Sequence, residues 1–320
     1  MNFNNIKMLT NRIKKKNPKI LVIGDLMLDS YVFGLVERIS PEAPVPIINY
    51  RSQKNTLGGC GNVAHNLKNL GVNVSILSMV GDDEEGRKVK SILEKLEVKV
   101  DGLFIQNEST TTKKTRFVSG NSQLLRLDND SYGHPNKEIA MGYIKNYIEI
   151  FDSIIVSDYN KGFCSNELVE YLIKETKKFQ IPVFVDPKGH SWKKYSNSFC
   201  ITPNTKELEL VLKTSLVKDS EFEKAARSIC EKYKIKSCLI TRGADGMTLF
   251  DGEKIIHQKV GKKEVFDVSG AGDTVISCIS ASYSSGLNFN NCLDIAATAS
   301  SEVVAHVGTT PFHLDFLIND

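Results

Sequence analysis

The sequence of 320 residues lacks the features of a disulfide-stabilised or metal-scaffolded protein. Its seven cysteines are an odd number, and none of them is spaced as Cys-x-x-Cys. Such cysteines are typical of reduced thiols, so the sequence predicts a cytoplasmic protein. The HExxH and GxSxG motifs are also missing, and this argues against the common zinc-protease and serine-hydrolase classes.

Long apolar segments are missing too. The longest uncharged stretch, 274–293, is rich in serine and asparagine, so we expect no membrane span and no membrane partner. Apolar residues make up 41% and charged residues 25% of the chain, which excludes disordered and collagen-like proteins. The length suits two domains or one large α/β unit, and we predict one domain over 1–320.

The small excess of positive charge, +3, is unevenly distributed. Residues 1–19 contain six lysines and arginines and no acid, so the rest of the chain carries about −3. A nearly neutral body argues against nucleic acid as a partner. We expect 1–18 to be a basic N-terminal arm, either a solvated leading helix or a frayed segment. The alternative is an amphipathic targeting helix with Ile6, Leu9 and Ile13 on one side.

Short β-branched runs alternate with helical patterns along most of the chain. Strands are expected at 19–24, 74–80, 153–157, 182–186, 199–202 and 237–241, with a hairpin over 246–260. Helices are expected at 59–70, 84–96, 136–151, 165–179, 205–213, 219–233, 271–285 and 289–305. Because alternation requires crossover connections, we predict an α/β fold with a doubly wound, mainly parallel sheet.

Two stretches interrupt this alternation. Residues 31–51 are extended and punctuated by prolines, and residues 110–128 alternate around a turn at Gly120-Asn121, which is a hairpin signal. Together they predict a small β-sheet lid, which could cover a site or form the surface of a homodimer.

The strongest chemical signal is the segment from Asp267 to Asp273, Asp-Val-Ser-Gly-Ala-Gly-Asp, which opens an apolar helix. Backbone N–H groups of Gly270, Ala271 and Gly272 would meet the positive end of that helix and form an anion hole. Asp273, in the first turn, could accept a proton from a hydroxyl. The alternative is a glycine-rich turn with a structural aspartate.

A second group of polar residues follows the first strand. Asp25 lies where open α/β sheets bind ligands, although it could instead cap the strand in an Asx turn. Gly58, Gly59 and Asn62 open the next helix, and Asn62 could bind vicinal hydroxyls. The same glycines fit a dinucleotide pattern, which we disfavour because no apolar strand feeds the turn.

Further candidates follow later strands. Asn204 and Glu207 share one face at a helix start, where they could hold a hydrated Mg²⁺ or form a capping box. The turn from Thr241 to Gly246 suits a nucleotide phosphate or ribose, or is a plain hairpin turn. Four cations could bind an anionic substrate: Arg116, Arg126, Lys161 and Lys188.

The motifs Gly-Gly-x-x-Asn, Asn-x-x-Glu and Gly-Ala-Gly-Asp, in this order, resemble the ribokinase (PfkB) family of sugar kinases over nearly the whole chain. Ser157-Asp-Tyr-Asn-Lys-Gly and Asp186-Pro-Lys-Gly resemble one branch, the bacterial D-glycero-β-D-manno-heptose 7-phosphate kinases. These phosphorylate the anomeric (C1) hydroxyl to give the 1,7-bisphosphate, toward the lipopolysaccharide precursor ADP-heptose. Bifunctional members carry a nucleotidyltransferase after the kinase, so a chain ending at Asp320 is expected to be monofunctional or an excised domain.

The resemblance implies a ribokinase-like fold that uses ATP and Mg²⁺, and it leaves a monovalent-cation requirement open. Asp273 would be the catalytic base, assisted by the backbone of Gly270 to Gly272. The implied sugar-phosphate residues are Asp25, Gly58, Gly59, Asn62, Arg116, Arg126, Lys161 and Lys188. The implied ATP residues are Asn204, Thr205, Lys206, Glu207, Thr241, Arg242, Gly243 and Gly246, with the metal on Asn204 and Glu207 through water.

Three alternatives remain open at this point. One is another PfkB-type kinase, acting on a ketose phosphate or a nucleoside. The others are an NAD-dependent oxidoreductase using Gly59 and Gly61, and a non-catalytic sugar sensor on a kinase scaffold. An intact Asp273 with its glycines argues against the sensor, which needs no base.

Overall fold

A computed structural model describes residues 3–107, 109–120, 122–130, 135–261, 267–305, 308 and 310–313. Its strands are β1 (Lys19–Gly24), β2 (Leu26–Ile39), β3 (Pro46–Gly59), β4 (Asn73–Gly81), β5 (Lys99–Gln106), β6 (Lys113–Ser119), β7 (Ser122–Asn129), β8 (Ser153–Ser157), β9 (Val183–Asp186), β10 (Cys200–Ile201), β11 (Ser237–Thr241), β12 (Met247–Phe250) and β13 (Ile255–Gln258). Its helices are α1 (Phe3–Lys16), α2 (Cys60–Asn69), α3 (Glu84–Lys95), α4 (Lys137–Tyr147), α5 (Asn166–Lys178), α6 (Thr205–Leu212), α7 (Asp219–Tyr233), α8 (Ala271–Ser284) and α9 (Phe289–Val303).

The main sheet has the strand order β13-β12-β11-β10-β9-β8-β1-β4-β5. In this order the seven strands from β11 to β5 pair in parallel, while β12 and β13 add an antiparallel edge next to β11. One apolar core lies on each face, so helices cover both sides. The predicted doubly wound α/β fold is therefore confirmed. Because the chain winds away from β1 in both directions, the carboxyl ends of β1 and β8 border a crevice where such sheets bind ligands.

One strand of this sheet was not expected from the sequence. β5 is an edge strand paired with β4, and its residues alternate between exposed and partly buried. It therefore lacks the apolar run that marks the buried strands of a parallel sheet. The other predicted strands and helices are found within a few residues of their expected bounds.

The N-terminal segment is a leading helix, α1, but it is solvated on one side only. Its Ile6, Leu9 and Ile13 are buried in one of the two cores, beside α8 and α9. The basic residues lie on the opposite, exposed side. The apolar spacing that could have indicated a targeting helix instead packs this helix onto the body of the protein.

The smaller sheet has the order β3-β2-β6-β7 and confirms the expected lid. Its strands extend beyond the predicted segments 31–51 and 110–128, because β2 begins at Leu26, directly after β1, and β3 continues to Gly59. The predicted turn at Gly120 joins β6 to β7, and its second residue, Asn121, lies outside the described residues. Across the described ranges, we find no helix with the length and apolar character needed to span a membrane.

Candidate active site

A pocket of about 160 Å³ lies at the carboxyl edge of the main sheet. It brings together the ends of β8, β9 and β11 with the first turns of α6 and α8. Its lining residues are Asp158, Tyr159, Asp186, Lys188, Thr202, Asn204, Glu207, Thr241, Gly270, Gly272 and Asp273. Several of the predicted site residues are therefore found together.

Asp273 is buried in the first turn of α8, with both carboxylate oxygens hydrogen-bonded. The Asn62 side-chain amide donates to Oδ2 at 2.7 Å, and the Tyr159 hydroxyl donates to Oδ1 at 2.9 Å. Burial raises the pKa of Asp273 from its ordinary value of 3.8 to about 6, although both hydrogen bonds act to lower it. A carboxylate with this pKa can act as a general base near neutral pH.

The start of α8 has the backbone expected of the glycine-rich motif. Gly270, the N-cap residue, adopts a left-handed conformation with φ of 83°. The Asp267 carboxylate holds the preceding loop by accepting the N–H groups of Ser269 and Gly308. The Ala271 N–H donates to the Val268 carbonyl, so this predicted anion donor is used within the turn. Gly270 and Gly272 line the pocket.

Asp25 has a different environment from the one expected. Its carboxylate accepts the backbone N–H groups of Tyr159, Lys161 and Phe163 at 2.8 to 3.1 Å, and it is 3% exposed. Burial and the neighbouring Asp158 raise its pKa, whereas these three hydrogen bonds lower it. In this structure Asp25 organises the loop after β8, and its predicted direct contact with sugar hydroxyls is replaced by this role.

The glycines before α2 allow the lid and the body to approach closely. A Cβ on Gly59, whose φ is 58°, would lie 2.2 Å from the Asp25 carbonyl oxygen. A Cβ on Gly58 would lie 2.8 Å from Oδ2 of Asp29. Only residues without a side chain fit here. Asn62 then enters the site from the first turn of α2, with its amide on Asp273 rather than open to a hydroxyl.

Asp29 and Lys114 are site residues that we did not identify from the sequence. Asp29 is buried on β2 and pairs with Arg116, whose guanidinium also lies over the Tyr31 ring. Lys114 lies over the ring of Tyr159, with 5.5 Å between its Nζ and the ring centroid. Alternation along β2 and β6 puts Asp29, Lys114 and Arg116 on one lid face, and this period-2 pattern was the available signal.

Two more of the predicted cations, Arg126 and Lys161, lie on or next to the lid sheet. Arg126 is in register with Arg116, but its guanidinium is half exposed and binds the Asp128 carboxylate. Lys161 forms an ion pair with Asp130, with 2.7 Å between Nζ and Oδ2. Lys161 therefore joins the loop after β8 to the end of the lid strand β7, whereas Arg126 is paired within β7 itself.

Lys188 lies away from the lid, in the pocket that also contains the predicted nucleotide residues Asn204, Glu207 and Thr241. Its Nζ is 2.6 Å from Oε1 of Glu207 and it lines the pocket that contains Asp273. Asn204 and Glu207 form the capping box that we considered as an alternative, with reciprocal backbone contacts of 3.0 Å. Because carboxylate and amide oxygens each accept several bonds, this cap leaves acceptor capacity toward the pocket.

Of the remaining nucleotide candidates, Thr241 lines the pocket, whereas Lys206, Arg242, Gly243 and Gly246 are not among its lining residues. The Thr241 carbonyl accepts the Thr205 hydroxyl at 3.4 Å. Lys206 is exposed on α6. The prediction that the Arg242 side chain binds the nucleotide is wrong. Its guanidinium packs on Phe222 and pairs with Asp219 of α7 instead of entering the pocket.

Gly243 and Gly246 form the turn between β11 and β12. Both have positive φ, and the Gly246 N–H donates to the Gly243 carbonyl. A Cβ on Gly246 would lie 2.1 Å from the carbonyl oxygen of Gln258. These glycines are needed for a hairpin turn, which was the alternative to a phosphate-binding role.

The donor set of the pocket suits a hard cation. Carboxylate and amide oxygens line it, and burial together with Glu207 and Asp273 raises the pKa of Asp186 well above its ordinary value. A divalent ion would offset this crowding of negative charge, and Mg²⁺ prefers oxygen ligands and keeps several waters. Among the described residues, no three acidic, histidine or cysteine side chains form a ready metal cage.

A parallel sheet with a small β-sheet, a buried carboxylate at a glycine-rich helix start and an oxygen-lined pocket are the features of a phosphoryl-transfer enzyme of the sugar-kinase class. The chain belongs to the pfkB family of carbohydrate kinases, which it matches over residues 17–315. The predicted family and enzyme class are thus confirmed.

Similar proteins agree with this assignment. The chain is 38% identical to the bifunctional protein HldE of Aliarcobacter butzleri over 94% of its own length and 63% of that protein. It is 39% identical to HldE of Helicobacter hepaticus, over 93% and 62%. The chain therefore spans about three fifths of these relatives.

Solved structures show the same fold. Escherichia coli phosphofructokinase-2, in complex with potassium, matches with a TM-score of 0.79 and 20% identity, over 94% of this chain and 97% of that one. Arabidopsis thaliana ribokinase, complexed with ribose and ATP, matches with a TM-score of 0.75 and 21% identity, over 94% and 98%.

Proposed function

We propose that this chain transfers the γ-phosphoryl group of ATP to the C1 hydroxyl of D-glycero-D-manno-heptose 7-phosphate, giving the 1,7-bisphosphate. The observation that carries the proposal is the buried Asp273 carboxylate at the N-terminus of α8, between a lid face with three cations and an oxygen-lined pocket. The identity with HldE proteins and the resemblance of the Asp-Tyr-Asn-Lys-Gly and Asp-Pro-Lys-Gly segments support the heptose branch.

In this proposal Asp273 removes the proton from the C1 hydroxyl as the oxygen attacks. The backbone at Gly270 and Gly272, with the positive end of α8, stabilises charge on the transferring phosphoryl group. Lys188 lies 2.6 Å from Glu207 beside this position and would neutralise the nucleotide phosphates. Positioning and electrostatics supply most of the rate enhancement in such transfers.

ATP would occupy the pocket from Asn204 and Thr241 toward α8. Asn204 and Glu207 would hold Mg²⁺ through water, and the ion, when bound, would neutralise phosphate charge. The side chain of Arg242 takes no part in this arrangement, because α7 binds it.

The sugar phosphate would lie under the lid, where Asp29 can accept hydroxyl hydrogen bonds near Gly58. Arg116, Arg126, Lys161 and the newly found Lys114 would surround its 7-phosphate. The phosphate carries about two negative charges at neutral pH. Three of these cations, Arg116, Arg126 and Lys161, now pair with carboxylates that the ligand can replace, and Lys114 lies over the Tyr159 ring. The proposal also includes a cytoplasmic location, which the seven buried free cysteines support. It further includes a homodimer that forms through the lid.

The test is ATP turnover against heptose 7-phosphates, hexose phosphates and nucleosides, with the phosphorylated position identified by NMR. We expect the heptose phosphate to be preferred. Lys161→Ala should raise its KM by about 10- to 150-fold, the value of one charge-assisted hydrogen bond, while the KM for ATP changes little. Lys145→Ala, on the surface of α4, is the matched control and should leave both unchanged. Preference for an uncharged sugar would overturn the heptose assignment.

A further inference from the structure

The hydroxyl of Tyr159 is directed at the catalytic carboxylate. It donates to Oδ1 of Asp273 at 2.9 Å, while the Asn62 amide donates to the other oxygen. Burial and the adjacent Asp273 raise the pKa of Tyr159 well above its ordinary value, so the phenol keeps its proton and remains a donor. Asp273 therefore has one fixed donor on each oxygen.

Tyr159 is itself held from two directions. Its backbone N–H donates to the Asp25 carboxylate at 2.8 Å, which fixes the loop that carries it. From the lid, Lys114 lies over its ring at 5.5 Å, a cation–π distance. The tyrosine thus connects three elements that would surround the substrate: β1, the lid strand β6 and helix α8.

We propose that Tyr159 is a positioning residue for the base, holding the Asp273 carboxylate in its ionised form and in one orientation for attack by the sugar hydroxyl. The inference rests on the proposed kinase function, because it assigns the residue that prepares the base for that reaction. Asp25 gains a role through it, since the carboxylate that was expected to bind sugar instead holds the backbone of Tyr159.

The charge environment of Asp273 determines what a pH experiment measures. The titratable and charged groups that act on it come from five other elements: Cys60 of α2, Asp29 of β2, Lys114 of β6, and Tyr159 and Asp186 at the ends of β8 and β9. Asp29 raises the pKa of Asp273, and Lys114 lowers it. Replacing the phenol by phenyl removes one donor and changes none of these charges.

The test is Tyr159→Phe, which preserves the ring and its packing. Loss of a hydrogen bond to the ionised form raises a carboxyl pKa, so the acid limb of kcat should move up by about 0.5 to 1 pH unit. At the pH plateau kcat should fall roughly tenfold, because orientation of the base is lost. The KM for both substrates should stay within about twofold of the wild type, since Tyr159 acts through Asp273.

A second measurement needs no turnover. A ¹³C-carboxyl NMR titration, with the Asp273 signal identified through Asp273→Asn, should show the same upward shift in Tyr159→Phe. Tyr283→Phe removes a phenol at the other end of α8 and should change neither readout. An Asp273 titration unchanged in Tyr159→Phe to within about 0.2 unit, or an equal shift in Tyr283→Phe, would overturn the proposal.

The two measurements separate the two hypotheses. A wild-type protein that turns over no sugar phosphate, while the NMR shift is present, contradicts the proposed function and supports the contact between Tyr159 and the carboxyl group. An active wild type whose pH profile and NMR titration ignore the substitution contradicts the positioning role alone.

Discussion

Asp273 illustrates how burial and hydrogen bonding compete at a single residue. Two donors favour its ionised form, yet burial dominates and its pKa reaches about 6. The folded state therefore binds a proton more tightly than the unfolded state, in which the carboxyl group has its ordinary pKa of 3.8. Stability falls as pH rises through this window, and at pH 8 the cost is of the order of 3 kcal/mol.

We predict that Asp273→Asn lowers kcat by about two to four orders of magnitude, the usual contribution of a general base, but stabilises the fold at pH 8. The gain should shrink at pH 4.5, because the wild-type carboxyl group is then largely protonated. Urea unfolding at both pH values tests this, with Asp101→Asn on the exposed side of β5 as control. A gain equal at both pH values, or turnover within about threefold of the wild type, would contradict the prediction.

Individual residues were predictable where chemistry follows from backbone position. The glycines of the α8 motif and Asp273 could be identified because a helix start with bare N–H groups has a fixed geometry. The roles of Asp25 and Asp29 could not, since both follow the first strand and only the path of the lid decides which of them binds the loop after β8 and which pairs with Arg116. The contact of Tyr159 could not be predicted, because its hydroxyl donates to the carboxylate of Asp273, more than 100 positions away in the sequence.

At the scale of elements, one local pattern can serve two purposes. Asn204 and Glu207 cap α6, and α7 begins with a comparable cap in which Glu221 accepts the N–H groups of Val217 and Lys218. The first cap faces the pocket, whereas Glu221 is partly exposed at the start of α7 and is not among the pocket's lining residues. The spacing predicts a cap in both cases, and tertiary position alone separates them.

This pair allows a controlled test of the metal role. Gln keeps an acceptor for the Asn204 N–H but removes the charge, so Glu207→Gln should raise the magnesium concentration for half activity roughly three- to tenfold. Glu221→Gln removes the same charge from the cap of α7 and should leave the magnesium titration unchanged. Equal titrations for the two variants and the wild type would assign Glu207 to capping and to Lys188 only.

Other elements show why periodicity was informative but incomplete. Buried strands such as β1 have uninterrupted apolar runs, and the sequence located them closely. β5 was not predicted because an edge strand is half exposed. For α1 the sequence showed an apolar side, but not that α8 and α9 of the same chain cover it. In both cases the missing information is which surface a neighbour covers.

At the scale of the whole molecule, the lid is a sheet with two unlike faces. The face toward the body carries Asp29, Lys114 and Arg116. On the opposite face Val32, Phe117 and Leu125 are in register across three strands, and Leu125 and Leu127 are 60% and 59% exposed. The alternation predicted a lid, but its full length was not apparent, since β2 follows β1 almost without a break.

The outer lid face is the surface on which the proposed homodimer depends. Exposed apolar side chains on a sheet are unfavourable in water unless a partner covers them, and a second copy offers a self-complementary surface of the same kind. We predict that Leu125→Glu with Leu127→Glu converts a dimer into a monomer, as measured by light scattering. The two charges would otherwise be buried without partners at the interface.

Ile139→Glu is the matched control, because Ile139 is similarly exposed, at 53%, but lies on α4 away from the lid. In light scattering, the Ile139→Glu variant should keep the mass of a dimer, twice that of one chain. Since the outer face is continuous with strands that carry Arg116 and Lys114, the lid variant should also raise the KM for the sugar phosphate more than that for ATP. A wild-type protein that is monomeric at micromolar concentration, or a lid variant that remains a dimer, would contradict assembly through this face.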